Sequence, residues 1–227
     1  MTGLAQALAF RGHLNEAYRV LGNREHPLFA ELVYLEAVPP DTAAVVFRSW
    51  MESGSTHARL ALPYWSKAGD TASIEAFRRR AARPKRGTFG VDVALGVEYD
   101  TIAARAHLLL ARHDSAEALR LFQSLPDTLC RECYLDRLVR ARLLSARGHY
   151  AEAMKDLTEP LSAFLTPIEV MLALERARVA VRSDETTVAQ AAYRFVGEAW
   201  MHADRQLAPL VREAHEKGLA SASRNGP

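Results

Sequence analysis

The chain has 227 residues, 49% hydrophobic and 25% charged, which is the balance of a folded globular protein and excludes disordered or fibrous classes. Acids and bases nearly cancel to a formal +2, so a nucleic-acid partner is not expected without a local basic patch. No apolar run reaches bilayer length, and the Met1–Phe10 start lacks the basic-then-apolar pattern of a leader; a soluble, unprocessed chain in the cytoplasm is expected, or in the periplasm if it belongs to a membrane-tethered regulator.

In chain order, Pro39-Pro40-Asp41 opens a helical pattern at Thr42–Met51, and Gly69-Asp70 separates two more at His57–Ala68 and Thr71–Ala82. The segment Pro84–Gly90 interrupts the periodicity and marks the best internal boundary. Three segments beyond it align without gaps: Ala104-Arg105-Ala106-His107-Leu108-Leu109, Val139-Arg140-Ala141-Arg142-Leu143-Leu144 and Glu175-Arg176-Ala177-Arg178-Val179-Ala180. Each is followed by a polar turn, at His113-Asp114, Gly148-His149 and Asp184-Glu185, and by a second helical pattern. In those second helices Ala118, Ala153 and Ala189 recur in register, as do Phe122, Leu157 and Tyr193. Pro126 stops one helix, with Asp127 or Thr128 as a cap for the next, and Pro160 and Pro167 bracket another connection. Leu207, Leu210, Val211 and Ala214 make one apolar face of a last helix. The tail 220–227 is rich in Ser, Asn, Gly and Pro and is expected to be irregular. No segment sustains the alternation of a strand.

These segments resemble the tetratricopeptide repeat, a pair of antiparallel helices with small residues where they cross. Ala106, Ala141 and Ala177 match the small site of the first helix; Ala118, Ala153 and Ala189 match that of the second. Gly148-His149-Tyr150-Ala151-Glu152-Ala153 looks most like the family's turn, and Gly12-His13-Leu14-Asn15-Glu16-Ala17 is a similar N-terminal copy. The family prefers an apolar residue where Arg105, Arg140 and Arg176 stand, so these units are divergent. The region from Tyr99 to Trp200 is also similar to C-terminal repeat regions of bacterial multidomain regulators such as serine/threonine kinases; none of the kinase motifs is present. The resemblance implies an all-α solenoid of five or six hairpins, with divergent hairpins over 1–86, repeat-like hairpins over 87–219 and a tail.

Chemistry-bearing motifs are sparse. Cys130 and Cys133 place two sulfurs on one helical face, as a metal or redox pair would, but a second ligand pair and a βαβ setting are both missing. With so few cysteines a disulfide framework is not expected, and a reducing compartment is the default. None of the eight histidines forms a zinc-hydrolase helix motif, and three of them, His13, His113 and His149, sit at turns. Neither a nucleophile elbow nor a phosphate loop is written in the chain. No metal, cofactor or enzymatic activity is therefore expected.

Two basic features remain. Arg78, Arg79, Arg80, Arg83, Lys85 and Arg86 form a run without an acid, suited to phosphates or an acidic surface; arginines in a last helical turn also complement the macrodipole with no ligand. His107, Arg142 and Arg178 share one column of the alignment. The resemblance places that column on the concave groove, where a cationic ladder would grip an acidic peptide or a carboxylate; a solvated face or local pairs such as Glu175 with Arg178 would account for it equally. The expected function is a non-enzymatic module holding a protein or peptide segment. The alternative is a regulatory or ligand-sensing part of a larger bacterial signalling enzyme.

Overall fold

The computed structural model describes residues 2–82, 91–125, 133–161 and 165–223, with side chains left out of account at 91–95 and 219–223. The described residues form thirteen α-helices and two 3₁₀ turns, with no strand. The helices are α1 (Thr2–Phe10), α2 (Leu14–Val20), α3 (Leu28–Tyr34), α4 (Pro40–Ser53), α5 (Leu62–Lys67), α6 (Thr71–Ala81), α7 (Val91–Ala111), α8 (Ser115–Gln123), α9 (Tyr134–Ala146), α10 (Tyr150–Thr158), α11 (Pro167–Arg182), α12 (Thr186–Ala199) and α13 (Ala208–Ser223). None of them is long and apolar enough to cross a membrane.

One local device recurs. Gly12, Gly69, His113, Gly148 and Asp184 all take left-handed backbone, with φ of 82°, 69°, 64°, 79° and 60°. The residue after each donates its N–H to the carbonyl five positions earlier: His13 to Leu8, Asp70 to Trp65, Asp114 to Leu109, His149 to Leu144 and Glu185 to Ala180, all at 2.8–3.0 Å. This bond closes a helix C-terminus and satisfies carbonyls that the helix leaves open. That donor residue then caps the next helix with near-identical dihedrals, φ/ψ of −80/61, −79/75, −88/73, −79/59 and −85/65. A two-residue connection of this kind reverses the chain. Five hairpins result, α1/α2, α5/α6, α7/α8, α9/α10 and α11/α12, each with its two helices packed together.

The aligned columns fall where close packing needs them. Ala106, Ala141 and Ala177 are fully buried in the first helices, and Ala118, Ala153 and Ala189 in the second; Phe122, Leu157 and Tyr193 are buried one turn further on. In the first hairpin Ala5 and Ala17 stand the same distance from the turn and are buried as completely. Small side chains at these points let two helix backbones approach, and the large residue fills the space that opens beyond the crossing.

Several boundaries differ from expectation. The pattern His57–Ala68 is split into a 3₁₀ turn, Thr56–Ala61, and α5, because Pro63 has no N–H to donate and is tolerated only in the first turn of a helix. Cys133, not Asp127 or Thr128, caps α9; 126–132 lie outside the described residues, as does the boundary 84–90. Helix α13 continues through Ser223, so the tail expected to be irregular is helical over its first residues.

Most consequential is the packing of the N-terminal helices back onto the repeats. Trp200 donates its indole N–H to the Phe10 carbonyl at 3.1 Å, and the Asp204 N–H reaches the Gly12 carbonyl at 2.9 Å. Asp204 Oδ2 accepts from the Asn15 N–H at 2.7 Å, and Phe10 meets Phe195 edge-on with ring centres 6.1 Å apart. Gly12 is required here twice over: its φ is left-handed, and a Cβ would lie 2.5 Å from that of Ala203. Helices α5 and α1 lie against α7 and α11, the first helices of the third and fifth hairpins.

Candidate functional site

The three aligned basic residues lie on the first helices α7, α9 and α11; His107 and Arg142 each reach the first helix of the next hairpin, and Arg178 reaches α13. His107 Nε2 is 2.8 Å from Asp136 Oδ1 on α9. Arg142 Nε donates to Glu175 Oε2 on α11 at 2.9 Å. Arg178 grips Glu213 on α13 with two bonds, Nε to Oε1 at 2.9 Å and Nη2 to Oε2 at 2.6 Å, and gives a third to Glu175 at 3.1 Å. The hydrogen bonds that Arg178 donates to Glu213 hold its guanidinium above the ordinary pKa, and Glu213 is lowered in turn. The ladder exists as a column, but it is occupied by the protein's own acids.

Nor is that face open. His107 has no exposed surface, its ring meets Phe122 edge-on at 5.1 Å, and its Nδ1 is 3.0 Å from Ser66 Oγ on α5. Arg142 donates from Nη1 to the Tyr34 hydroxyl at 3.0 Å. The expectation of a solvent-facing ladder therefore fails at His107, and helices that precede the repeats cover part of the rest. Glu175, with 6% of its side chain exposed, is held by hydrogen bonds from both arginines, which offset its desolvation.

Ser66, His107 and Asp136 stand in the order of a nucleophile, a base and an acid. The geometry makes them a brace instead: the imidazole is closed to solvent, the Ser66 hydroxyl also lies 3.1 Å from the Pro63 carbonyl, and Asp136 Oδ2 accepts from the Tyr99 hydroxyl at 3.0 Å. Next to it, Arg59 Nε lies 3.1 Å from Asp100 Oδ1. Burial pushes the Asp100 carboxyl up to about 6, opposed by Arg59 and reinforced by Asp136, and burial likewise raises the Tyr99 hydroxyl.

A second buried acid ties the halves together. Thr166, the cap of α11, takes the Ile168 N–H on its hydroxyl oxygen and donates that hydroxyl to Glu31 of α3. Burial raises the Glu31 carboxyl to about 7 despite the Thr166 bond.

Of the basic run, Arg78, Arg79 and Arg80 occupy the last turn of α6, where cations complement the helix dipole. Arg78 pairs with Glu75 at 2.9 Å; Arg79 and Arg80 are exposed. Arg83, Lys85 and Arg86 lie outside the described residues. Cys133 is disulfide-bonded, which the expected reducing setting did not anticipate; Cys130, the other cysteine of the sequence, lies outside the described residues.

Among the described residues, clefts open at two hairpin junctions. One of about 350 Å³ lies between α12 and α13, lined by Tyr193, Gly197, Met201 and His215. The other, about 360 Å³, lies among α9, α10, α11 and α12, where Arg137 and Arg176 face Leu157, Leu172 and Phe195. Neither was anticipated from sequence, because each is a junction of several elements and not a motif. No family, curated protein or solved structure matches the chain.

Proposed function

We propose that the chain is a non-enzymatic interaction module, a stack of helical hairpins of the tetratricopeptide kind that holds a segment of another protein. The observation that carries this reading is the fivefold recurrence of one turn geometry, in four of the five hairpins with alanines at the helix crossing. Hairpins stacked in this way bury a continuous core between neighbours and leave long edges and junctions as recognition surface. The acid-binding ladder first expected to grip the partner is engaged internally, so recognition falls to the junction clefts and outer edges.

Selection of displayed peptides against the purified protein tests the proposal, with affinities then measured by calorimetry. Saturable binding at micromolar levels, with amide protection confined to the repeat helices, is expected. A chain that retains no peptide of any composition would overturn it.

A further inference from the structure

The second and third repeats differ at one buried pair, and the difference leaves a charge without its partner. Arg140 stands eight residues before the left-handed Gly148, and Asp156 eight residues after it. Within that hairpin the guanidinium clasps the carboxylate through two bonds, Nε to Oδ2 at 2.7 Å and Nη2 to Oδ1 at 2.8 Å. Its Nη1 reaches the carbonyl of Phe122 in the preceding hairpin at 3.5 Å. Counted from Asp184, the same positions are Arg176, Ala192 and, for Phe122, Leu157. The arginine is kept and the acid is gone.

The space bears this out. Arg176 is half-buried and makes no hydrogen bond or ion pair among the described residues, and it lines the 360 Å³ cleft together with Leu157. Ala192 is 1% exposed, too short to reach it. Arg137, in the same wall, gives one hydrogen bond, Nη2 to the Glu159 carbonyl at 3.0 Å; its Nε is buried with no acceptor, and burial holds the guanidinium below its ordinary pKa. The wall's acids do not neutralise Arg176. Glu159 lies 3.9 Å from Arg137, and Glu169, seven residues back along α11 with its backbone about 10 Å away at 1.5 Å per residue, makes no ion pair with Arg176 among the described residues.

We propose that this cleft binds a carboxylate attached to an apolar group, the carboxylate taking on Arg176 the place that Asp156 takes on Arg140 and the apolar group lying on Leu157, Leu172 and Phe195. The carboxylate has two sources, a free organic acid or an acidic side chain of a partner polypeptide. The second rests on the interaction-module reading above; the first does not.

The probes are 3-phenylpropionate, with its amide as the uncharged control, and an amidated peptide carrying one Glu flanked by Leu and Phe, with the Gln peptide as control. Binding is followed by calorimetry and by the NMR signals of the Arg176 Nε–H and the Phe195 ring. Each acid is expected to bind at least about tenfold tighter than its control, as a charge-assisted contact of this kind predicts, with both signals shifted. Arg176→Gln should erase the preference. Ala192→Asp should supply the missing acid from within and block both probes; if that variant does not fold, Arg176→Gln decides. Equal affinity for acid and control, preference retained in Arg176→Gln, or no saturable binding of either acid at millimolar concentration would overturn the proposal. Peptide binding indifferent to Arg176 would leave the interaction module standing and remove the cleft. Phenylpropionate binding without peptide binding would uphold the cleft as a small-acid site and count against the module.

Discussion

The hydroxyl of Tyr34 accepts a 3.0 Å hydrogen bond from Arg142 across 108 residues of sequence, while the same guanidinium holds the buried Glu175. Glu175 is then shared with Arg178, which also clasps Glu213. The Arg142→Ala, Arg178→Ala double variant is therefore expected to damage the fold and not only a binding face, because Glu175 would be left buried and unpaired. Loss of a partner in such a pair costs about 3–5 kcal/mol. Adding Glu175→Gln should return part of that loss. Chemical denaturation of the parent and of the double and triple variants checks this, and a double variant as stable as the parent would show the column to be surface charge after all.

The pH dependence follows from Glu31 and Asp100. Both carboxyls are raised by burial, Glu31 from 4.5 to about 7 and Asp100 from 3.8 to about 6. A raised acid binds more protons folded than unfolded, so its contribution is fully present below its unfolded value and is lost as pH climbs through the folded value. For Glu31 that window runs from about 4.5 to about 7, with a slope of at most about 1.4 kcal/mol per pH unit. Glu31→Gln keeps the acceptor for Thr166 and should flatten this fall, making the variant more stable than the parent above pH 7. Denaturation midpoints from pH 4 to 9 measure it; parallel curves would place Glu31 in water.

How far the structure was legible depends on how local each cause is. The repeat columns, the turns at Gly12, Gly148 and their relatives, and the crossing alanines follow from short-range spacing, and all lie where that spacing puts them. Ala153→Leu should accordingly cost about 1–3 kcal/mol by overpacking. The return of α1 to α5 onto the repeats was not legible, because its contacts, such as Asn15 with Asp204 and Glu31 with Thr166, join residues with no periodic relation. The acids that fill the ladder, Asp136, Glu175 and Glu213, stand in no common column with one another, so of these partnerships only Glu175 with Arg178, three residues apart, was legible. The contrast between Asp156 and Ala192 was available, three positions beyond the aligned Ala153 and Ala189.

The turns make a paired prediction. Gly148 with φ of 79° has no steric penalty, whereas His113 and Asp184 hold the same conformation with a Cβ. Gly148→Ala should cost about 1–2 kcal/mol. His113→Gly and Asp184→Gly should be neutral or stabilising by up to about 1 kcal/mol, relief of strain being set against the greater freedom of glycine in the unfolded chain. Thermal melts of the three single variants suffice, and a loss in His113→Gly equal to that in Gly148→Ala would contradict the shared geometry.

Arg140 and Asp156 allow a test of what a buried ion pair contributes within one hairpin. Both side chains are about nine-tenths hidden, at 11% and 10% exposure, and the two bonds between them are short. Attraction in such a place is strong, but so is the cost of taking both ions from water, and the two nearly cancel. Asp156→Ala should therefore be expensive, about 3–5 kcal/mol, because Arg140 keeps its charge and loses its main acceptor. Replacing both, as Arg140→Leu with Asp156→Leu, should recover most of that loss, since apolar residues fill the space without desolvation. Because the pair is shielded from solvent, added salt should change neither result much, unlike an exposed pair screened over about 10 Å at 0.1 M ionic strength. Urea denaturation at low and high salt measures all of these. A double variant as unstable as Asp156→Ala would mean that the pair holds the hairpin by net attraction; single and double variants both indistinguishable from the parent would mean that Arg140 is solvated.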